Sequence, residues 1–192
     1  MLGSAQPDAL ADRGACAAAG VEIVRRRSGG GAVLVAPGRQ IWLDVFVPAG
    51  DPLADDDVGR ASWWFGELWA ACLEAVAGRS DLVAEVHRGG VAHRRGATAC
   101  FAALGPGEVS VAGAKAVGIS QRRNRHGAWL HSMALVGARP LEVLDYLDVA
   151  HLDAEERRAI RVELDTGVFV LDPGDEQVLE SCLSHRLASF RR

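Results

Sequence analysis

Between Val21 and Val136 the chain passes through a series of short runs rich in β-branched and aromatic residues, each stopped by glycine, proline or charge. Val21–Val24, Ala32–Val35, Ile41–Val47, Leu82–Val86, Thr98–Phe101, Glu108–Ala112, Ala116–Gln121 and Trp129–Val136 are predicted strands. Runs this short, separated by tight turns, pair most readily with their neighbours in antiparallel fashion. The helices are set by a different period. Behind the acidic loop GDPLADDD a helix is predicted from near Asp57 to Gly78, with Val58, Ala61, Phe65, Leu68, Cys72 and Val76 on one buried face. Trp63, Trp64 and Trp69 lie on it and are expected to pack a sheet, although one of them could wall a pocket. From Pro140 onward PLEVLDYL, DAEERRAIRVEL and DEQVLESCLSHRLASF all read as amphipathic helices. The expected fold is α+β: a largely antiparallel or mixed sheet with packed helices and a C-terminal helical tail. One domain is expected across residues 1–192, with core motifs in 21–136 and the tail in 140–192.

Hydrophobic content of 49% and charged content of 24% suit a soluble globular domain with a sizeable core. A net charge of −4 argues against nucleic-acid binding driven by bulk charge, so any anion must be held locally. No apolar run has membrane-spanning length. Cys16, Cys72, Cys100 and Cys182 are scattered without metal-ligand spacing, so reduced thiols and a cytoplasmic location are expected.

Two segments carry chemistry. In VRRRSGGGAVLV, Val24 to Val35, the arginines offer charge and forked donors to an anion, and Gly29, Gly30 and Gly31 leave the backbone bare for close approach. An ordinary hairpin beside a solvated basic edge would read the same way, and these residues alone leave both readings open. The second segment surrounds Lys115, the only lysine in the chain, which sits between Gly113 and Gly118. An arginine-rich composition accounts for the scarcity of lysine but not for this setting. Lysine supplies a compact point charge that arginine cannot.

Taken together, VRRRSGGGAV and GAKAVGISQRR…LH resemble the lipoate–protein ligase, octanoyltransferase and biotin ligase superfamily over roughly residues 21–136. The ligase pattern RRxSGGGxV falls on Arg25, Arg26, Ser28, Gly29, Gly30, Gly31 and Val33. The pattern GxKxxGxA falls on Gly113, Lys115 and Gly118, with Ser120 at the small position. The resemblance implies attachment of lipoate or octanoate to a lysine of a lipoyl carrier domain, from a 2-oxoacid dehydrogenase or the glycine-cleavage H protein, with ATP and Mg2+ forming an acyl-adenylate. It implies Lys115 at the acyl carbonyl, Arg26 near phosphate or carboxylate, and an acyl slot drawn from Val33, Val117, Ile119 and the strand after Trp129. His131 falls in a segment that carries a histidine in the family. No nucleic acid or membrane partner is implied, and the chain is expected to be a monomer or weak oligomer.

Several departures qualify this picture. Where the ligases continue with a His-Asp pair and an asparagine, this chain has LVAPGRQ; where they carry Asn-Asp ahead of the lysine, it has Cys100-Phe101. The layout ACFAALGPGEVSVAGAKAVGISQRR, including Gln121 and Arg123, resembles the octanoyltransferase branch, in which a cysteine carries the acyl group as a thioester. Cys100 is thus either nucleophile or core filler. A homologue that binds lipoate or its adenylate without catalysis is the third possibility. The segment LGSAQPDAL resembles a stretch that the family precedes with a helix and a strand, so N-terminal elements of the family are expected to be missing here.

Overall fold

A computed structural model describes residues 1–76, 83–91 and 94–190. The elements are α1 (Arg13–Ala18), β1 (Gln40–Pro48), α2 (Trp63–Val76), β2 (Ala84–Val86), β3 (Val109–Val111), β4 (Ala114–Asn124), β5 (Gly127–Leu135), α3 (Ala154–Thr166) and α4 (Asp175–Ser189). The strands form one five-stranded sheet in the order β1-β5-β4-β3-β2, antiparallel at every pairing. The long central strands β4 and β5 are joined by the turn before Gly127, and β1 runs along β5 from Gln40 opposite Leu135 to Pro48 opposite Gly127.

Period-two alternation divides the sheet between two cores. On one face Ile41, Val47, Val117, Leu130 and Ala134 pack on Phe65 and Trp69 of α2 and on Leu179 and Leu183 of α4. Trp69 is fully buried, and its indole N–H donates to Ser132 Oγ at 2.9 Å, so the helix is pinned to β5 by a polar contact inside an apolar layer. On the other face Met133 and Leu135 meet Leu2, Val33, Ala99, Phe101, Ile160 and Leu164. Val117 is fully buried on the α2 side.

The sequence-predicted elements shift in specific ways. Asp57 accepts from the N–H groups of Gly59 and Arg60, a short 3₁₀ turn follows at Arg60–Ser62, and α2 proper starts at Trp63. Gly78 and Leu82 lie outside the described residues. PLEVLDYL forms a 3₁₀ segment, Pro140–Tyr146, because Leu147 is drawn into an antiparallel bridge with Ala11. Val21–Val24, Ala32–Val35 and Thr98–Phe101 do not join the sheet. Arg25, just after the first of them, makes an isolated parallel bridge with Leu2, Ala32 makes one with Ala99, and Cys100–Ala102 closes into a 3₁₀ turn.

The expectation of four free thiols is corrected: Cys72 of α2 and Cys182 of α4 form a disulfide, and Cys16 and Cys100 are free. The two paired residues lie 110 apart in sequence and meet only because α2 and α4 pack side by side on the same sheet face.

Candidate functional site

The Ala32–Ala99 bridge brings the glycine segment to the cysteine segment. Ala32 N–H donates to Thr98 O at 3.0 Å, and Cys100 N–H donates to Ala32 O at 3.0 Å. The approach needs a bare backbone at Gly31, where a Cβ would lie 2.4 Å from Gly96 O and 2.6 Å from the carbonyl carbon of Ala99. Gly30 adopts φ +91°, so the turn needs a glycine there for a conformational reason as well.

Lys115 opens β4. Its N–H donates to Gly167 O, and its carbonyl accepts from Phe169 N–H, which fixes the backbone from the side away from β3. The side chain is only 3% exposed, and its ammonium donates to Cys100 O at 2.6 Å and Ala103 O at 2.7 Å and pairs with Glu108 Oε2 at 2.6 Å. Gly118 makes room on the same strand: a Cβ there would stand 3.2 Å from Cys100 Sγ and 3.6 Å from Lys115 Cε. Thiol and ammonium stem therefore converge over one bare residue. Burial is the main cause raising the Cys100 pKa above the ordinary thiol value; the Lys115 charge opposes it, Glu108 adds to it, and Arg26 opposes it more weakly.

These groups share a cavity of about 380 Å³ whose lining includes Gly29, Gly30, Gly31, Cys100, Lys115 and Ile119. Arg26 folds back on the glycine turn, donating to Gly29 O through Nε and Nη2 and to Gly31 O through Nη2. Its Nη1 is buried without a partner, and burial lowers the guanidinium pKa, a shift that the nearby Cys100 partly offsets. Ser28 accepts a hydrogen bond from Ser120 at 3.0 Å, and this pair stands between the cavity and a neighbouring trough of about 540 Å³. Arg26, Arg122, Trp129 and His131 line that trough.

Of the sequence-predicted site residues, the three glycines, Cys100, Lys115 and Ile119 line the cavity and Gly118 lies against Cys100 and Lys115, while Arg26 and Ser28 line the adjoining trough. His131 faces the trough as well, outside the cavity that holds Cys100 and Lys115, with Nδ1 2.8 Å from Asp44 Oδ1. Gly113 forms the β3–β4 turn at φ +80°, with nothing near it, and its role is the turn itself. Val33 lines a separate apolar cavity of about 90 Å³ with Phe101, Met133 and Leu135. Gln121 and Arg123 reach the acidic loop, donating to Val58 O and to the carbonyls of Asp55 and Asp56.

Sequence reasoning missed Glu108. It is 5% exposed; Oε2 accepts from Gly105 N–H at 2.6 Å in addition to Lys115, and Oε1 accepts from Ile119 N–H at 3.0 Å. The available signal was one acid beside an apolar strand, in GPGEVSV, seven residues before the only lysine.

The chain belongs to the lipoyl protein ligase A/B catalytic domain family, whose model matches residues 1–168. Solved structures agree on the fold. A bipartite lipoate protein ligase from Thermoplasma acidophilum, studied with its E2 lipoyl domain, superposes with TM-score 0.70 at 18% identity, covering 98% of this chain and 66% of that one. A putative lipoate protein ligase from T. acidophilum with bound lipoic acid gives 0.58 at 16% identity, with coverage of 98% and 76%. A lipoate-protein ligase A bound with ATP gives 0.59 at 15%, with coverage of 95% and 76%. The chain therefore spans just under two thirds of the first of these proteins. No curated protein matches it.

Proposed function

We propose that this protein transfers an octanoyl or lipoyl group onto a lysine of a lipoyl carrier domain through a thioester on Cys100. The observation that carries the reading is the convergence of Cys100 Sγ and Lys115 over Gly118, inside the cavity walled by the glycine turn. In the first half-reaction the Cys100 sulfur attacks the carbonyl carbon of an acyl thioester, and the departing thiol leaves with the proton that Cys100 gave up. In the second, the carrier amine attacks the Cys100 thioester, the amide forms, and the thiol is regenerated. Lys115 stabilises the oxyanion in both steps, and the glycine turn lets the acyl group lie close to the backbone.

A second reading, ATP-dependent ligation through an acyl-adenylate, is favoured by the unpartnered Arg26 Nη1, which fits a phosphate or carboxylate oxygen. Magnesium fits less well. Glu108, the only acid lining the cavity among the described residues, is already engaged by Lys115 and two backbone N–H groups. Among the described residues no three His, Cys, Asp or Glu side chains gather as a metal site.

The test is transfer onto a lipoyl domain, run with acyl-carrier thioester alone and separately with ATP and free acid. We expect activity in the first arm, an acyl adduct on Cys100 by intact mass spectrometry, and loss of both in Cys100→Ala. Activity confined to the second arm and untouched by Cys100→Ala would establish the adenylate route instead. Under either route Lys115→Ala is expected to cost about a hundredfold or more in transfer, the scale of losing one oxyanion donor.

A further inference from the structure

Lys115 has three N–H bonds and three acceptors at 2.6–2.7 Å, so its ammonium is fully engaged before any substrate arrives. The acceptors are not equivalent. The carbonyls of Cys100 and Ala103 are neutral and belong to the short turn that carries the thiol. The third acceptor is a carboxylate, nearly as buried as the lysine itself, whose oxygens also hold Gly105 of that loop and Ile119 of β4. A substrate carbonyl is a neutral acceptor of the same kind as Cys100 O or Ala103 O, so replacing one by the other leaves the local charge balance unchanged. Breaking the Glu108 contact instead would strand two opposite charges in an apolar setting.

We propose that Glu108 is a positioning residue: the permanent partner that holds Lys115 in the cavity while one of the two carbonyls gives way to the acyl oxygen. This rests on the acyl-transfer reading above. The carboxylate acts through Lys115 and does not touch the substrate. Because Glu108 links the loop after Cys100 to β4, it also fixes the distance between the thiol and the ammonium. Glutamine cannot replace it, since an amide presents one accepting oxygen where the site has N–H donors facing both. Aspartate keeps the charge but is one methylene short.

The absence of any other lysine makes the proposal directly measurable. Acetic anhydride applied to the folded protein, followed by peptide mass spectrometry, reports on one side-chain amine. We expect Lys115 to be acetylated slowly in the wild type and about tenfold faster in Glu108→Gln, where the charge that engages the ammonium is gone. Glu108→Asp should fall between the two. In the transfer assay Glu108→Gln should lower kcat about tenfold or more, with KM for the acyl donor within about twofold, because donor binding does not use the carboxylate. Should Glu108→Gln fail to fold, Glu108→Asp decides by the same labelling. Acetylation as slow as in the wild type, in whichever variant folds, overturns the proposal, as does a loss of transfer seen only in KM. If labelling responds to the substitution while the wild type transfers no acyl group from any donor, the clamp stands and the acyl-transfer reading falls.

Discussion

The three consecutive glycines make separable demands on their positions. Nothing lies within 4 Å of a Cβ at Gly29, Gly30 combines φ +91° with a Cβ position 2.9 Å from Arg26 Nη2, and Gly31 has backbone atoms at 2.4–2.8 Å. Gly29→Ala should therefore keep the wild-type denaturation midpoint, while Gly31→Ala should lose about 1–3 kcal/mol, the range for forcing atoms into packed space. Urea unfolding of the two variants checks the ordering. Cys100 supports a second expectation. With its pKa raised chiefly by burial, the thiol is protonated at neutral pH and gains thiolate only as pH rises. Its alkylation by iodoacetamide should still be climbing where an ordinary thiol of pKa about 8.5 has levelled off. A plateau near neutrality would mean that Lys115 and Arg26 outweigh desolvation. Lys115 and the glycines were legible from sequence because rarity and repetition mark them. Glu108 is one of 25 acids, and only burial beside Lys115 distinguishes it.

Helix periodicity gave α3 and α4 almost residue for residue, and the structure shows Asp153 capping α3 by accepting from Glu156 N–H. What periodicity cannot supply is partnership. Ala32–Val35 and Thr98–Phe101 have strand composition, yet they bridge each other through single residues, because the bare glycine backbone allows the two loops to dock edge to edge. Cys72 and Cys182 likewise look like core residues of separate helices, and each would pack acceptably as a thiol. Their pairing across 110 residues ties α4 to α2, so reduction should release a long loop in the unfolded chain. By loop-closure entropy the loss is on the order of 4–5 kcal/mol, or roughly 10 °C in Tm for a chain of this size. Thermal unfolding with and without dithiothreitol, alongside thiol counting under denaturing conditions, measures it. Four titratable thiols before reduction would exclude the bridge.

The site is assembled from segments around residues 26–31, 97–108 and 115–120, and the N-terminal residues hold the first two of these together. Leu2 N–H donates to Val24 O, and Arg26 N–H donates to Leu2 O, which seats the arginine segment. Arg25 answers by donating to Gly3 O and Gln6 O and pairing with Asp8. Gln6 then bridges the two motifs. It is 8% exposed; its Oε1 accepts from Gly3 N–H at 2.8 Å, and its Nε2 donates to Ala97 O at 2.5 Å and Thr98 O at 3.1 Å, just before Cys100. Nothing in the spacing of LGSAQPDAL marks Gln6 as a tie between loops some ninety residues apart. Gln6→Ala removes no atom near Cys100 Sγ or Lys115 Nζ, yet it leaves Gly3 N–H and Ala97 O unpaired in a largely buried setting, and Thr98 O with only the bond from Ala32 N–H. The expected cost is about 1–3 kcal/mol of stability from those groups. Because Gln6 ties the N-terminal segment to Ala97 and Thr98 just before the cysteine turn, hydrogen exchange should quicken at Ala32 and Cys100, whose amides form the bridge between the glycine and cysteine segments. Helices α3 and α4 should keep their protection apart from the global loss. Uniform acceleration across the chain would reduce Gln6 to a generic stabilising contact, and unchanged exchange at Ala32 and Cys100 would mean that the two motifs hold their alignment without the N-terminal strap.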